Sequence, residues 1–430
     1  LFTAENAEAA KEEQMKRLFA LSLITAALLV CIPIASAQGG ITVQGSGHEF
    51  TFREHIVFHL DASSDSEINE IVLVYQVQTT RRSSSTEVYP EFTPGTTVHA
   101  EYELDMRAQH YLPPGVEINY HWLVRDAAGR ELETEPTVFT YDDNTHEWKE
   151  LSNERVAIFW YRGSDDFGQT LFDRAVESLD NIERDLGVAV KNRIKIYVYG
   201  SYDDLLVALE EGAQEWTGGR SFSGAGYPII LIGIAPNNLD WGLQAITHEL
   251  THAVIAQKMI PPFGGLPHWM DEGLAVYYQG VAPYEKAALE QAIRDNTLLS
   301  IRSLNSNFPT DRTVVDLAYA ESWSVVNFMF EKYGKEKVAE LIEVFSVGAH
   351  QDDGLMEVLG FDVDGLEDEW RQYIGAPPRK GVMAETPVVG TSRPTASPTP
   401  GSQTVCCGAA PAALFLILFL ALRPRTTVPG

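Results

Sequence analysis

The pattern of this sequence predicts a multidomain chain, an all-β sandwich followed by an α+β domain. Three observations lead there. Between Ile41 and Tyr141 apolar residues recur at every second position. After Asn144, strands of that period alternate with stretches of helical period. Both ends carry segments whose composition suits transport or anchorage and not folding.

Composition supports two or three domains with sizeable cores: 430 residues, 45% hydrophobic, 10% aromatic. The formal net charge of −28 sets the surface against phosphate backbones, so no nucleic-acid partner is expected.

Residues 1–37 are expected to be a leader and signal peptide. From Met15, two basic residues precede an apolar stretch, Leu18 to Ile34, and then Ala35-Ser36-Ala37, an A-x-A cleavage signal. Residues 38–145 hold the β-sandwich. "HIVFHL" sets Ile56, Phe58 and Leu60 on one face, "IVLVYQV" does so with Ile71, Leu73, Tyr75 and Val77, and "VHAEYELDM" alternates from Val98 to Met106. A further pair of strands turns at Asp126–Gly129. Short strands at this spacing point to an immunoglobulin- or fibronectin-like sandwich serving as an accessory domain. His55, His59, His99 and His121 fall on these strands without ligand spacing.

Residues 146–378 form the second domain. "RVAIFWY", "RIKIYVYG" and "YPIILIGI" read as strands. Between the first two, Leu171, Phe172, Ala175, Val176, Leu179, Ile182 and Leu186 make a helical stripe, and a short helix follows from Asp203. The third strand leads into a helix that carries "THELTHAVIAQ" and ends at Pro261-Pro262.

Residues 379–404, rich in Pro, Ser and Thr, are expected to be an extended stalk. Residues 405–425 hold an apolar run from Val405 to Leu422 followed by Arg423 and Arg425. As a helix the run spans roughly 27 Å, enough for a thin bilayer. With basic residues after it, it reads as a transmembrane anchor leaving the body exported at the cell surface, or as a sorting tail that is removed. The three cysteines, Cys31, Cys406 and Cys407, all lie in these end segments, so the body uses neither disulfides nor thiol chemistry.

The chemistry is concentrated in the His-Glu-x-x-His pattern. On a helix His248 and His252 share a face and can reach one Zn²⁺ together. Glu249, one residue on, stands where it can take a proton from an activated water without ligating the ion. A third ligand is required. The extended pattern H-E-x-x-H-x-x-G-x-x-H fails here, because Ile255 and Lys258 hold its Gly and last His positions. Glu272, twenty residues after His252 in "LPHWMDEGLAVYYQG", can supply it from a following helix with Trp269, Leu274 and Ala275 packed beneath. Its neighbour Gly273 allows close helix approach.

"HELTH" followed by "WMDEGLA" resembles the gluzincin metallopeptidases, whose pattern is H-E-x-x-H then W-x-x-E-G-x-A, and in particular the peptidase MA-like domains of exported bacterial proteins. The resemblance covers about residues 150–375. It implies a zincin-like fold, with a cleft beneath a small mixed sheet and a helical lobe below. It implies one catalytic zinc held by His248, His252 and Glu272, Glu249 as general base, and a peptide or protein substrate. The strand "PIILIGI" would be the edge along which an extended substrate pairs. Within "DLAYAESWSVVNFMFEKYG", similar to a helix of related domains, Tyr319 stands as a donor to the tetrahedral oxyanion or as a core tyrosine. Asp271 and His268 stand as outer partners of the ligands or as rim residues. The Gly-Ala-Met-Glu-Asn element of zinc aminopeptidases is absent, which weighs against an exopeptidase.

The expected function is therefore a membrane-anchored, extracytoplasmic zinc peptidase. The alternatives are a surface binding or scaffold protein with an inactive zincin-like domain, and a zinc amidase or esterase acting on non-peptide substrates.

Overall fold

Strands β1 (Ile41–Thr51), β2 (His55–Val77), β3 (Thr86–Val88), β4 (Gly95–Asp105), β5 (Val116–Asp126), β6 (Glu131–Glu133) and β7 (Thr137–Tyr141) form one antiparallel sheet in the computed structural model. It describes residues 40–379 except 82, 108–110, 210–217, 307 and 309–310, so the signal, stalk and anchor segments lie outside the described residues.

The β-rich first region is organised around β2. The runs "HIVFHL" and "IVLVYQV" read as two separate strands. Instead the chain stays extended for 23 residues. Its first half lies between β1 and β4, its second between β3 and β5. Register breaks between Ser63 and Ile68 and between Ile68 and Glu70 let the strand bend where it changes partners. The bend folds the sheet on itself: Phe58 meets Tyr120 with ring centroids 5.0 Å apart, and His48 stacks on Phe139 at 3.8 Å. Alternate residues of β2 and β5, among them Ile56, Leu60, Leu73 and Trp122, are thereby fully buried.

The second region holds a mixed five-stranded sheet in the order β11-β12-β10-β9-β8, formed by β8 (Lys149–Ser152), β9 (Val156–Trp160), β10 (Ile194–Tyr199), β11 (Gly219–Ser221) and β12 (Ile229–Gly233). The three inner strands are parallel and the two outer ones antiparallel to them. Helix α1 (Asp165–Leu186) connects β9 to β10. It starts where Ser164 Oγ accepts from the Phe167 N–H and ends at Gly187 in the left-handed region. The short helix α2 (Tyr202–Ala208) follows β10, and α3 (Leu239–Lys258) follows β12. Below lie α4 (His268–Gln279), α5 (Pro283–Asp295), α6 (Arg312–Ser346, broken at Gly334), α7 (Gln351–Leu359) and α8 (Val363–Tyr373).

Alternation in β10 shows how the regions join. Ile194, Ile196 and Val198 share a core with Leu171, Leu179, Ile246 and Leu250 of α1 and α3. Tyr197 and Tyr199, on the other face, join Ile229, Leu231 and the interior of the first region. The β-rich region therefore covers one face of the sheet, and the two make a single compact unit that ends at Arg379. Among the described residues no helix is long and apolar enough to cross a membrane.

Candidate metal centre

Helix α3 is buried along Ile246, Leu250, Ala253 and Val254, so the opposite turn faces a cleft. The four-residue spacing puts His248 and His252 on that turn, with Nε2 atoms 3.2 Å apart and rings at 77°. Helix α4 crosses nearby and brings Glu272 Oε2 to 3.5 Å from His248 Nε2 and 3.6 Å from His252 Nε2. The α4 backbone can stand there because Gly273 has no side chain: a Cβ would lie 2.4 Å from the Ser322 carbonyl oxygen of α6. Trp269, Met270 and Leu274, fully buried, fix the helix from the far side.

These three atoms suit a cation. Ligands about 2.0–2.1 Å from a tetrahedral ion lie about 3.3–3.4 Å from one another. The observed separations of 3.2, 3.5 and 3.6 Å bracket that value. Glu272 Oε2 is buried with no hydrogen-bond donor, although two imidazoles point at it. Among the described residues His248, His252 and Glu272 form the one group of this kind.

The surrounding electrostatics follow from enclosure and pairing. Burial pushes the Glu272 carboxyl up, but His252 and His248 outweigh it and hold the group well below the usual carboxylate range. Burial works against the charged form of His252, yet Asp271 and Glu272 beside it raise its pKa well above the ordinary value. Asp271 Oδ2 lies 3.1 Å from His252 Nδ1, so the acid one residue before Glu272 stands behind that ring while also lining the cleft. His268 is farther off, its Nδ1 3.9 Å from Glu272 Oε1 and its ring against Phe308.

Glu249 lies on the cleft wall beside the pair. Its enclosure raises its pKa against the pull of His248 and His252, and the Ser221 backbone N–H donates to it. Tyr319, on α6, lines the same cleft with its ring 6.3 Å from that of His248. Burial, with Glu272 and Glu249 nearby, pushes its phenol far above the ordinary range, so it stays protonated. All five candidate side chains thus meet in one cleft of about 520 Å³.

One expectation fails. "PIILIGI" is not an edge: β12 lies between β10 and β11. Among the described residues the outermost strand beside the cleft is β11, where a Cβ on Gly219 would lie 3.1 Å from Glu249 Cγ. Three residues carry no readable period, so the strand escaped detection; the Gly218-Gly219 pair was its one local mark.

A mixed sheet with a His-Glu-x-x-His helix and a glutamate-bearing helix behind it defines a gluzincin-type domain. Residues 174–376 match the model of the Peptidase MA superfamily. No curated protein matches it. Among solved structures, an M1 zinc metallopeptidase from Deinococcus radiodurans is 11% identical, with 80% of this chain and 96% of that one covered at a TM-score of 0.35. A catalytically inactive OgpA from Akkermansia muciniphila, in complex with an O-glycopeptide, is 12% identical at a TM-score of 0.19 over 25% of this chain. This chain spans 30% of that protein's length.

Proposed function

We propose that the protein is an exported zinc-dependent peptidase, with His248, His252 and Glu272 as the metal ligands. The observation that carries this reading is the convergence of their three ligand atoms beside Glu249, at the foot of an edge strand. Zinc, when bound there, would polarise a water and the scissile carbonyl. Glu249 takes the proton from the attacking water and delivers it to the leaving amine. Its raised pKa suits a group that must both accept and return a proton. Tyr319, held as a phenol, donates to the oxygen that becomes negative as the carbonyl turns tetrahedral. Asp271, beside His252 Nδ1, would hold that ring with Nε2 toward Glu272 Oε2, where a metal would bind.

Strand β11 offers its outer backbone groups to an extended peptide, which would then lie across the cleft above Glu249. The β-rich region, read as an immunoglobulin- or fibronectin-like accessory domain, completes the cleft wall and stiffens the sheet. Attachment to a membrane rests on the sequence of residues 405–425 and export on that of residues 1–37.

Metal analysis by mass spectrometry on the purified protein tests the ligand set. Near one zinc per chain, falling sharply in Glu272→Ala, is expected; a wild type that takes up no zinc on reconstitution would sink the proposal. Peptide-library digestion with Glu249→Gln as control tests the chemistry. Hydrolysis lost in that variant with zinc retained is the expected result. Zinc retained with no peptide cut by the wild type would leave the scaffold or the non-peptide hydrolase.

A further inference from the structure

Helix α3 presents two kinds of surface to the cleft in succession. His248, Glu249 and His252 come first. Ile255, Ala256 and Met259 follow on the same face, at the three- and four-residue steps that keep side chains in one row. The two polar residues of that stretch are turned elsewhere. Gln257 Oε1 accepts the Lys191 and Asn192 N–H groups, each at 2.8 Å, and its Nε2 donates to the Asn192 carbonyl at 2.9 Å. Lys258 Nζ pairs with the Glu343 carboxylate of α6. Beyond His252, the wall that α3 gives the cleft is therefore apolar.

The loop from α3 to α4 continues that wall with Gly264, Gly265 and Leu266. It is fastened to the end of α6. The Ile260 N–H donates to the Ser346 carbonyl at 2.9 Å and the Gly265 N–H to the Phe345 carbonyl at 3.2 Å. Gly264 comes so close that a Cβ would lie 2.0 Å from the Ser346 oxygen. Gly265 is the opposite case: it is exposed, and a Cβ there would meet nothing within 4 Å. The apolar side chains are held in place without a ligand. Ile255 is buried, and Met259 and Leu266, half-buried, pack against the core.

Ile255 and Ala256 lie about 4.5–6 Å along the helix axis from His252, and Met259 about 10 Å. An extended peptide covers about 3.3 Å per residue, so a side chain one to three positions from a bond held at the metal centre reaches this row. We propose that Ile255, Ala256, Met259 and Leu266 form an apolar subsite whose occupant is a side chain of the peptide being cut. The favoured substrates carry Leu, Met or Phe at one position within three residues of the scissile bond, and Gly265 leaves the room for that side chain. This inference rests on the peptidase reading above and names its substrate class.

Digestion of a peptide library, with the cut sites read by mass spectrometry, gives the position; matched internally quenched peptides with Leu or Ala there give the size of the effect. Wild type should prefer Leu in kcat/KM by roughly ten- to a hundredfold, the worth of burying the larger apolar side chain. Gly265→Leu, whose side chain fills the open space, should bring that ratio to near unity or invert it and should melt as wild type does. Met259→Lys should turn the preference from Leu toward Glu, and it decides alone if Gly265→Leu melts early. Phe263→Ser, at the exposed tip of the same loop, should leave the ratio and the rates unchanged. Equal rates for Leu and Ala at every position would overturn the subsite. So would a ratio that survives the changes at Gly265 and Met259, or one that Phe263→Ser abolishes as fully. If wild type cuts no peptide, anisotropy of fluorescein-labelled peptides rich in Leu or in Ala decides the matter separately. Tighter binding of the Leu peptides that is lost in Gly265→Leu would then uphold the subsite against the peptidase reading. Equal binding, or a preference indifferent to that variant, would overturn it.

Discussion

Glu321 gives a stability test whose size can be worked from its surroundings. The residue sits on α6 with no solvent exposure. One carboxyl oxygen accepts the Leu299 N–H at 3.0 Å, and the other has no partner. The charged groups facing it are on α8: Glu367, and Arg371, which is engaged with Glu367 at 2.8 Å. Burial pushes the Glu321 pKa up to about 8, only partly offset by the Leu299 N–H and Arg371. In the unfolded chain the group titrates at its ordinary value near 4.5. Between those two values the native state holds a proton that the unfolded state has lost. Stability contributed by the group is therefore complete below about 4.5 and is lost as pH rises through about 8. At about 1.4 kcal/mol per unit, the loss is at most about 5 kcal/mol at pH 8.5 and about 3 kcal/mol at pH 7. Glu321→Gln keeps an acceptor for Leu299 and cannot ionise; its second amide N–H is a new unmet donor costing about 1 kcal/mol. Scanning calorimetry of both proteins at one scan rate, from pH 5 to 8.5, should show melting curves that diverge with pH. The variant should be level or slightly lower at pH 5 and several degrees higher at pH 8.5, at roughly 2 °C per kcal/mol. A constant offset across that range would refute the reasoning, because only titration of Glu321 makes the gap depend on pH.

Other perturbations address the metal centre and its support. Gly273→Ala should force α4 and α6 apart, because its Cβ would lie 2.4 Å from the Ser322 oxygen and 2.6 Å from Val326 Cγ2; a loss of about 2–3 kcal/mol and weaker zinc uptake are expected, and unchanged melting and uptake would argue against the close approach. Asp271→Asn should leave the melting temperature near wild type while lowering zinc affinity roughly ten- to a hundredfold, read by chelator competition; wild-type affinity would show that the 3.1 Å contact with His252 does no orienting. Arg371→Leu strips the buried Glu367 of its cationic partner, leaving it the Ile301 N–H, and should cost about 3–5 kcal/mol by denaturant unfolding, whereas a loss under about 1 kcal/mol would mean that the ion pair contributes little to the fold.

The positions in this molecule that were readable in advance are those set by local geometry. His248 and His252 share a helical turn wherever the helix lies, and the stripe from Leu171 to Leu186 can be buried only on one side. The strands of the β-rich region declared themselves by alternation. The bend that makes one strand of two did not, because "DASSDSEINE" stays extended through its partners β1, β4 and β5 and not through its own propensity. Strand β11 was silent for a related reason: three residues including a glycine form a strand only when β12 is there to pair with.

The sequence by itself determined the chemistry on offer, two imidazoles and a base on one helix and a carboxylate on the next, because helix periodicity and a short connection leave little freedom in where those groups point. Tertiary structure decided everything that depends on segments distant in the chain. It put Asp271 behind His252, made β11 the cleft's edge, and set the face of Tyr197 and Tyr199 against the β-rich region. It also carried Arg81 to a cleft whose metal-binding residues come more than 160 positions later. Such neighbours are chosen by which surfaces exclude water together, and no local periodicity records that choice.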